Sequence, residues 1–198
     1  MKKYIAEFIG TAVLTLAIVS SIVNGSGFVT ILTVGITLSL LVATLGAISG
    51  SHVNPAVTLG LLSISKINWR EALAYIIAQF AGAALALIMV RVHEVQLPAL
   101  DYSFTWLIMC AEFIGATIFT FGIASIVLAY DSTKAESKAP FVIGGSLTLG
   151  ATLAAGLGSN AILNPAVAFG IGSFGLAYII GPILGGIAGV WLFKALRS

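Results

Sequence analysis

The segments Asn54-Pro55-Ala56-Val57-Thr58-Leu59-Gly60 and Asn164-Pro165-Ala166-Val167-Ala168-Phe169-Gly170 agree at five of seven positions, 110 residues apart in a chain of 198. Their residue types limit what the pair can do. Proline fixes φ and has no N–H, so it suits the first helical position, and an Asn just before it can cap that helix through its side chain. Each Asn-Pro-Ala therefore reads as a helix start, carrying a partial positive charge of about half an electron and amide donors at the same point. The chemistry open to such a site is hydrogen bonding to the oxygen of a neutral molecule. Nothing in the chain suggests bond making: there is no Gly-rich phosphate loop, no metal-ligand spacing and no nucleophile beside a base, so no enzyme, cofactor or metal is expected. His93-Glu94 alone is no metal site and, with Asp101, reads as solvated surface.

These caps must be positioned by apolar elements. The chain is 59% hydrophobic and 8% charged, against about 25% charged in a soluble domain, so it reads as an integral membrane protein. A net charge of +2 gives no argument for nucleic acid. The single cysteine, Cys110, forbids an internal disulfide. Six stretches approach the roughly 20 apolar residues that a spanning helix needs: Tyr4 to Val23, Phe28 to Ala47, Glu71 to Arg91, Phe104 to Ala129, Phe141 to Leu157 and Phe174 to Leu196. The start MKKYIAEFIG imitates a signal peptide, but Glu7 interrupts it and no small-residue cleavage site follows, so it is kept as a mature helix. The fold class expected is an all-α membrane protein of six transmembrane helices plus two re-entrant half-helices.

If the six spans alternate, Lys2, Lys3, Lys66, Arg70, Lys134, Lys138, Lys194 and Arg197 fall on one side and only Arg91 on the other. Basic residues mark the cytoplasmic side, so both termini are placed in the cytoplasm, with the cell membrane as the location.

The two halves match in order. EFIGTAVLTL (from Glu7) pairs with EFIGATIFTF (from Glu112), and AYIIAQFAGAALA (from Ala74) with AYIIGPILGGIAG (from Ala177); with the Asn-Pro-Ala pair between them, the offsets are 105, 110 and 103. Chance could produce one such pair in an apolar alphabet, but not three in order. The chain is expected to be one domain over residues 1–198, built from inverted repeats of approximately 1–100 and 101–198. Three helices per unit is an odd number, so the copies enter the bilayer from opposite sides. Two half-helices would then meet near the midplane with their N-termini together, where non-helical backbone is tolerated only if it lines a cavity. A positive centre of this kind disfavours cations and opposes proton relay.

SGSHVNPAVT (Ser49 to Thr58), SNAILNPAVAFG (Ser159 to Gly170), the two EFIG openings and YIIGP (Tyr178 to Pro182) together resemble the aquaporin or major intrinsic protein family over essentially the whole chain. The resemblance implies a homotetramer in the lipid bilayer with one pore per subunit, passing water or small neutral solutes. It implies pore roles for Asn54, Pro55, Ala56, Asn164, Pro165 and Ala166. It also implies scaffolding roles for Glu7 and Glu112, each accepting backbone hydrogen bonds from the segment entering the same half. A proton-coupling site is the sharper alternative for these two carboxylates. His52 matches a family histidine near the cytoplasmic pore mouth, where a static hydrogen bond or a pH response would both fit.

One departure stands out. The family usually has arginine after the second motif, and here that place is Val167. Counting from the asparagines, the other filter positions fall on Val34, Thr152 and Ala161, the second of these assuming an ungapped fifth span. Such a filter lacks the fixed cation and its five guanidinium donors, leaving an apolar opening with one hydroxyl. Glycerol, urea, ammonia or undissociated metalloid acids such as arsenous acid become candidates beside a slower water pore. Other markers divide: Ala168 replaces the Asp usual in glycerol facilitators, and Tyr178-Ile179 replaces an aromatic pair common in water-selective members. A secondary transporter could also use inverted repeats and broken helices, but the midplane holds no carboxylate cluster beyond Glu7 and Glu112.

Overall fold

The computed structural model describes residues 1–25, 27–97, 104–129 and 132–197; Asp101, and Ser26 of the Asn24-Gly25-Ser26 stretch that matches a glycosylation sequon but reads better as a turn, lie outside them. Eight helices follow in order among the described residues: α1 (Lys2–Asn24), α2 (Gly27–Ser49), α3 (Pro55–Ser63), α4 (Trp69–Val92), α5 (Trp106–Val127), α6 (Ser132–Gly156), α7 (Pro165–Gly170) and α8 (Leu176–Arg197). Six are long and apolar enough to cross a membrane. The other two, α3 and α7, begin at the prolines of the two motifs. The sequence long, long, short, long occurs twice.

Five of the expected spans agree with the helices to within a few residues. The fifth span does not, because α6 starts at Ser132 rather than near Phe141. Ala135, Ala139, Ile143, Leu147 and Ala151 recur every four residues and are all buried, so one continuous stripe packs against α2 and α5. Pro140 removes one helical hydrogen bond from that first part. Burial of Ala135 and Ala139 before it and of Ile143 after it holds the helix together there.

Packing ties the halves to each other through the short elements. α3 lies on α8, and α7 on α4, so each half-helix rests on the last helix of the other half. Close approach depends on small residues, as in other helix contacts within membranes. A Cβ on Gly60 of α3 would stand 2.6 Å from the Gly186 carbonyl oxygen of α8. Gly185 and Gly189 of α8 press on the Phe113 and Thr117 carbonyls of α5, and Gly82 of α4 presses on the Phe8 carbonyl of α1. The outward faces stay apolar: Ile36, Leu40, Ile77 and Leu107 are exposed. Such a surface is a liability in water, and a bilayer accepts it.

Candidate pore and its two Asn-Pro-Ala caps

The loops before α3 and α7 carry backbone that ordinary residues avoid. Ser51, Val53, Ala161 and Leu163 have φ values of 50°, 44°, 54° and 52°. Such left-handed, non-Gly positions cost on the order of 1–3 kcal/mol each and persist only where the surroundings over-determine them. The two buried carboxylates do this. Glu7 accepts from the backbone N–H groups of His52 (2.9 Å) and Val53 (2.7 Å), from Ser49 Oγ (2.7 Å) and from Gln79 Nε2 (2.8 Å). Glu112 accepts from the N–H groups of Ile162 (3.0 Å) and Leu163 (2.7 Å) and from the Ser159 hydroxyl. The two serines in turn accept from Ser51 N and Ala161 N, each at 3.0 Å. Each carboxylate thus pins the loop that enters beside it.

With the loops fixed, the asparagines cap the half-helices. Asn54 Oδ1 accepts from Ala56 N at 2.8 Å, and Asn164 Oδ1 from Ala166 N at 3.1 Å and Val167 N at 3.3 Å. Their amide nitrogens reach across. Asn54 Nδ2 donates to the Leu163 carbonyl and Asn164 Nδ2 to the Val53 carbonyl, both at 2.9 Å. An amide nitrogen has two hydrogens, so each keeps a second N–H beyond this cross-link. The N-termini of α3 and α7 therefore meet, with both caps lining a space of about 10 Å³. That is room for about one water molecule.

His52 stands beside this neck. Its Nδ1 lies 3.1 Å from Thr58 Oγ1, which also accepts from Gln79 Nε2 at 3.0 Å and donates to the Asn54 carbonyl at 3.1 Å. The hydroxyl's one proton is committed to Asn54, so the consistent arrangement has Nδ1–H donating to Thr58. The His52 ring also meets the Tyr75 ring edge-on, with centroids 5.0 Å apart. These contacts hold the imidazole in one place.

Beyond the neck, toward the α1–α2 connector, the space opens to a cavity of about 260 Å³. Val34, Ala161 and Val167 line it, with Val167 almost wholly buried. Thr152 does not. It is exposed, and its hydroxyl donates to the Thr148 carbonyl at 2.8 Å. Ala151 and Ala155 occupy the α6 side of the cavity instead. The count from the second asparagine is off by one because α6 is rotated by its contact with α2. There Thr148 abuts Gly35, and Ser39 abuts Gly144, which turns the Thr148–Thr152 stripe away from the cavity. At the filter positions the opening therefore presents Val34, Ala151, Ala161 and Val167, without the Thr152 hydroxyl, while Thr30, Ser159 and Asn160 line the cavity elsewhere.

The neck residues Leu14, Leu38, Phe119 and Leu147 did not figure among the sequence candidates. A signal for two of them existed: Leu14 follows Glu7, and Phe119 follows Glu112, by the same seven positions in the matched EFIG segments.

Six spanning helices, two half-helices meeting head to head and a wide cavity adjoining a narrow space beside their caps define a membrane channel. The sequence matches the Major intrinsic protein family over residues 1–193, and the chain belongs to that family. It is 31% identical to Aquaporin AqpM of Methanothermobacter marburgensis, covering all of this chain and 98% of that one. It is 32% identical to Aquaporin NIP1-1 of Oryza sativa subsp. japonica, covering all of this chain and 75% of that one. The X-ray structure of the aquaglyceroporin from Plasmodium falciparum shares the fold with a TM-score of 0.66 at 19% identity, over 99% of this chain and 94% of that one. The chain is a passive channel for water and small neutral solutes.

Proposed function

We propose that this channel admits neutral solutes through a mouth that lacks a fixed charge, and that ion exclusion rests on its centre. The observation that carries the proposal is the wall of Val34, Ala151, Ala161 and Val167 above the crossed Asn54 and Asn164 amides. Four small aliphatic side chains offer a solute neither a donor nor a charge, so they neither bind nor sort it by hydrogen bonding. At the neck the spare N–H groups of both asparagines present only donors, which suits the oxygen of a neutral permeant and repels a cation. The two halves, residues 1–100 and 101–198, act as inverted repeats whose loops meet at this point. The excess of basic residues on the side of the termini supports a cytoplasmic location for both. The apolar outer faces support a place in the cell membrane, and the resemblance to the major intrinsic proteins supports assembly there as a homotetramer.

Stopped-flow light scattering on proteoliposomes tests the reading, with wild type compared against Val167→Arg. Wild type is expected to shrink under an osmotic gradient faster than empty vesicles, at a rate linear in the gradient and indifferent to Na⁺ or pH gradients. The arginine, placed at the boundary of the cavity and the neck, is expected to slow water by roughly tenfold by filling the mouth. Saturable flux coupled to an ion would overturn the channel reading in favour of a secondary transporter.

A further inference from the structure

Permeation in this chain faces two spaces of very different size, and the difference locates the step that discriminates. The mouth holds about 260 Å³ and the neck about 10 Å³. Ile18, Val34, Ile162 and Val167 line both and form the boundary. Leu14, Leu38, Phe119 and Leu147 line only the neck, and each is at most 5% exposed. They come from α1, α2, α5 and α6, one from each, and face the space that the two caps also line. We propose that this aliphatic and aromatic collar, not the mouth at Val167, sets the size limit of the channel, passing water and ammonia and holding back glycerol and urea.

The inference rests on the channel reading and deepens it. At the collar the polar partners close at hand are the Asn54 and Asn164 amides and His52. A molecule entering must leave its other hydrogen bonds behind, and burying a polar group without a partner is costly. Water keeps its neighbours ahead and behind in the file and needs one donor from the wall. Glycerol and urea are several times larger and carry polar groups all round, so leucine and phenylalanine side chains would have to move aside and still would satisfy none of them. At the mouth neither penalty applies, because the space is ample and opens outward beside Gly27 and Thr30.

The test measures water, ammonia, urea and glycerol permeability of wild type, Leu147→Ala, Leu38→Ala and Ile22→Ala in proteoliposomes. Ile22 lines the mouth but not the neck, so its truncation widens the wrong place. Wild type is expected to conduct water and ammonia, with urea and glycerol near the background of empty vesicles. Either collar variant is expected to raise urea and glycerol flux by about tenfold and to change water flux by less than about threefold; Ile22→Ala is expected to leave all four unchanged. Wild-type glycerol flux well above background overturns the collar, and this arm depends on no variant folding. So does a variant at Leu147 or Leu38 that conducts water yet leaves the urea-to-water ratio as it was. Wild type that conducts no water above background overturns the channel reading itself.

Discussion

Gln79 of α4 donates its amide to Glu7 of α1 at 2.8 Å, deep in the first half of the molecule. In the matched segment of α8 the corresponding residue is Pro182, which has no side-chain donor. The adjoining Gly181 packs directly against Glu112. The two carboxylates hold equivalent loops, yet among the described residues Glu7 accepts four hydrogen bonds and Glu112 three.

This difference makes an unequal response to the same substitution. A glutamine at either place turns an NH₂ group toward backbone donors. At position 7 the Gln79 amide can reverse and offer its oxygen, which has no partner among the described residues, at the expense of its weaker bond to Thr58 Oγ1. At position 112 the proline offers nothing. Glu112→Gln is expected to destabilise by about 1–3 kcal/mol more than Glu7→Gln, the cost of a buried polar group left unpaired. Thermal unfolding of both variants in detergent, followed by circular dichroism, checks the order.

The crossed amides couple the two caps. Losing one cap costs about 0.5–2 kcal/mol, and each asparagine also holds the carbonyl just before the other. Residues that share a network depart from additivity by about 0.5–3 kcal/mol. Asn54→Ala and Asn164→Ala together are therefore expected to cost less than the two single losses added. Unfolding midpoints for the full cycle decide this; simple additivity would mean that the two cross-links act independently.

The rotation of α6 predicts which of two neighbouring residues matters. Thr152→Val is expected to leave water permeability within about twofold, because its side chain faces away from the cavity. Ala151→Phe is expected to cut it by roughly tenfold, because that side chain enters the mouth. The reverse ranking in a stopped-flow assay would restore the ungapped register.

Gly82 tests the seam between α1 and α4. A Cβ there runs into the Phe8 carbonyl and stands 3.1 Å from Ala12 N, both backbone atoms that cannot yield alone. Gly82→Val is expected to destabilise by about 1–3 kcal/mol through overpacking. Unfolding in detergent reads the loss, with Gly145→Ala, which meets no atom within 4 Å, as the control.

Much of this architecture was readable in the amino-acid order because it rests on local chemistry. Asn-Pro-Ala supplies a cap and a first helical residue in three consecutive positions, apolar runs of spanning length need a bilayer, and matched EFIG segments place one carboxylate in each half. Those residue types determined the long helices, the two short ones and the caps. The start of α6 was not readable, since Ser132–Pro140 is polar and contains a proline; only burial of Ala135 and Ala139 against neighbouring helices makes it helical. The same holds for the pore wall. Whether Ala151 or Thr152 faces the cavity depends on how far α6 turns when Thr148 seats on Gly35. The collar assembles from four helices whose leucines and phenylalanine resemble every other apolar residue in the chain. Sequence determines which groups can cap, bond and span. The rotation of each helix is a property of the packed bundle, fixed by contacts between residues far apart in the chain, and it decided which side chains meet the permeant.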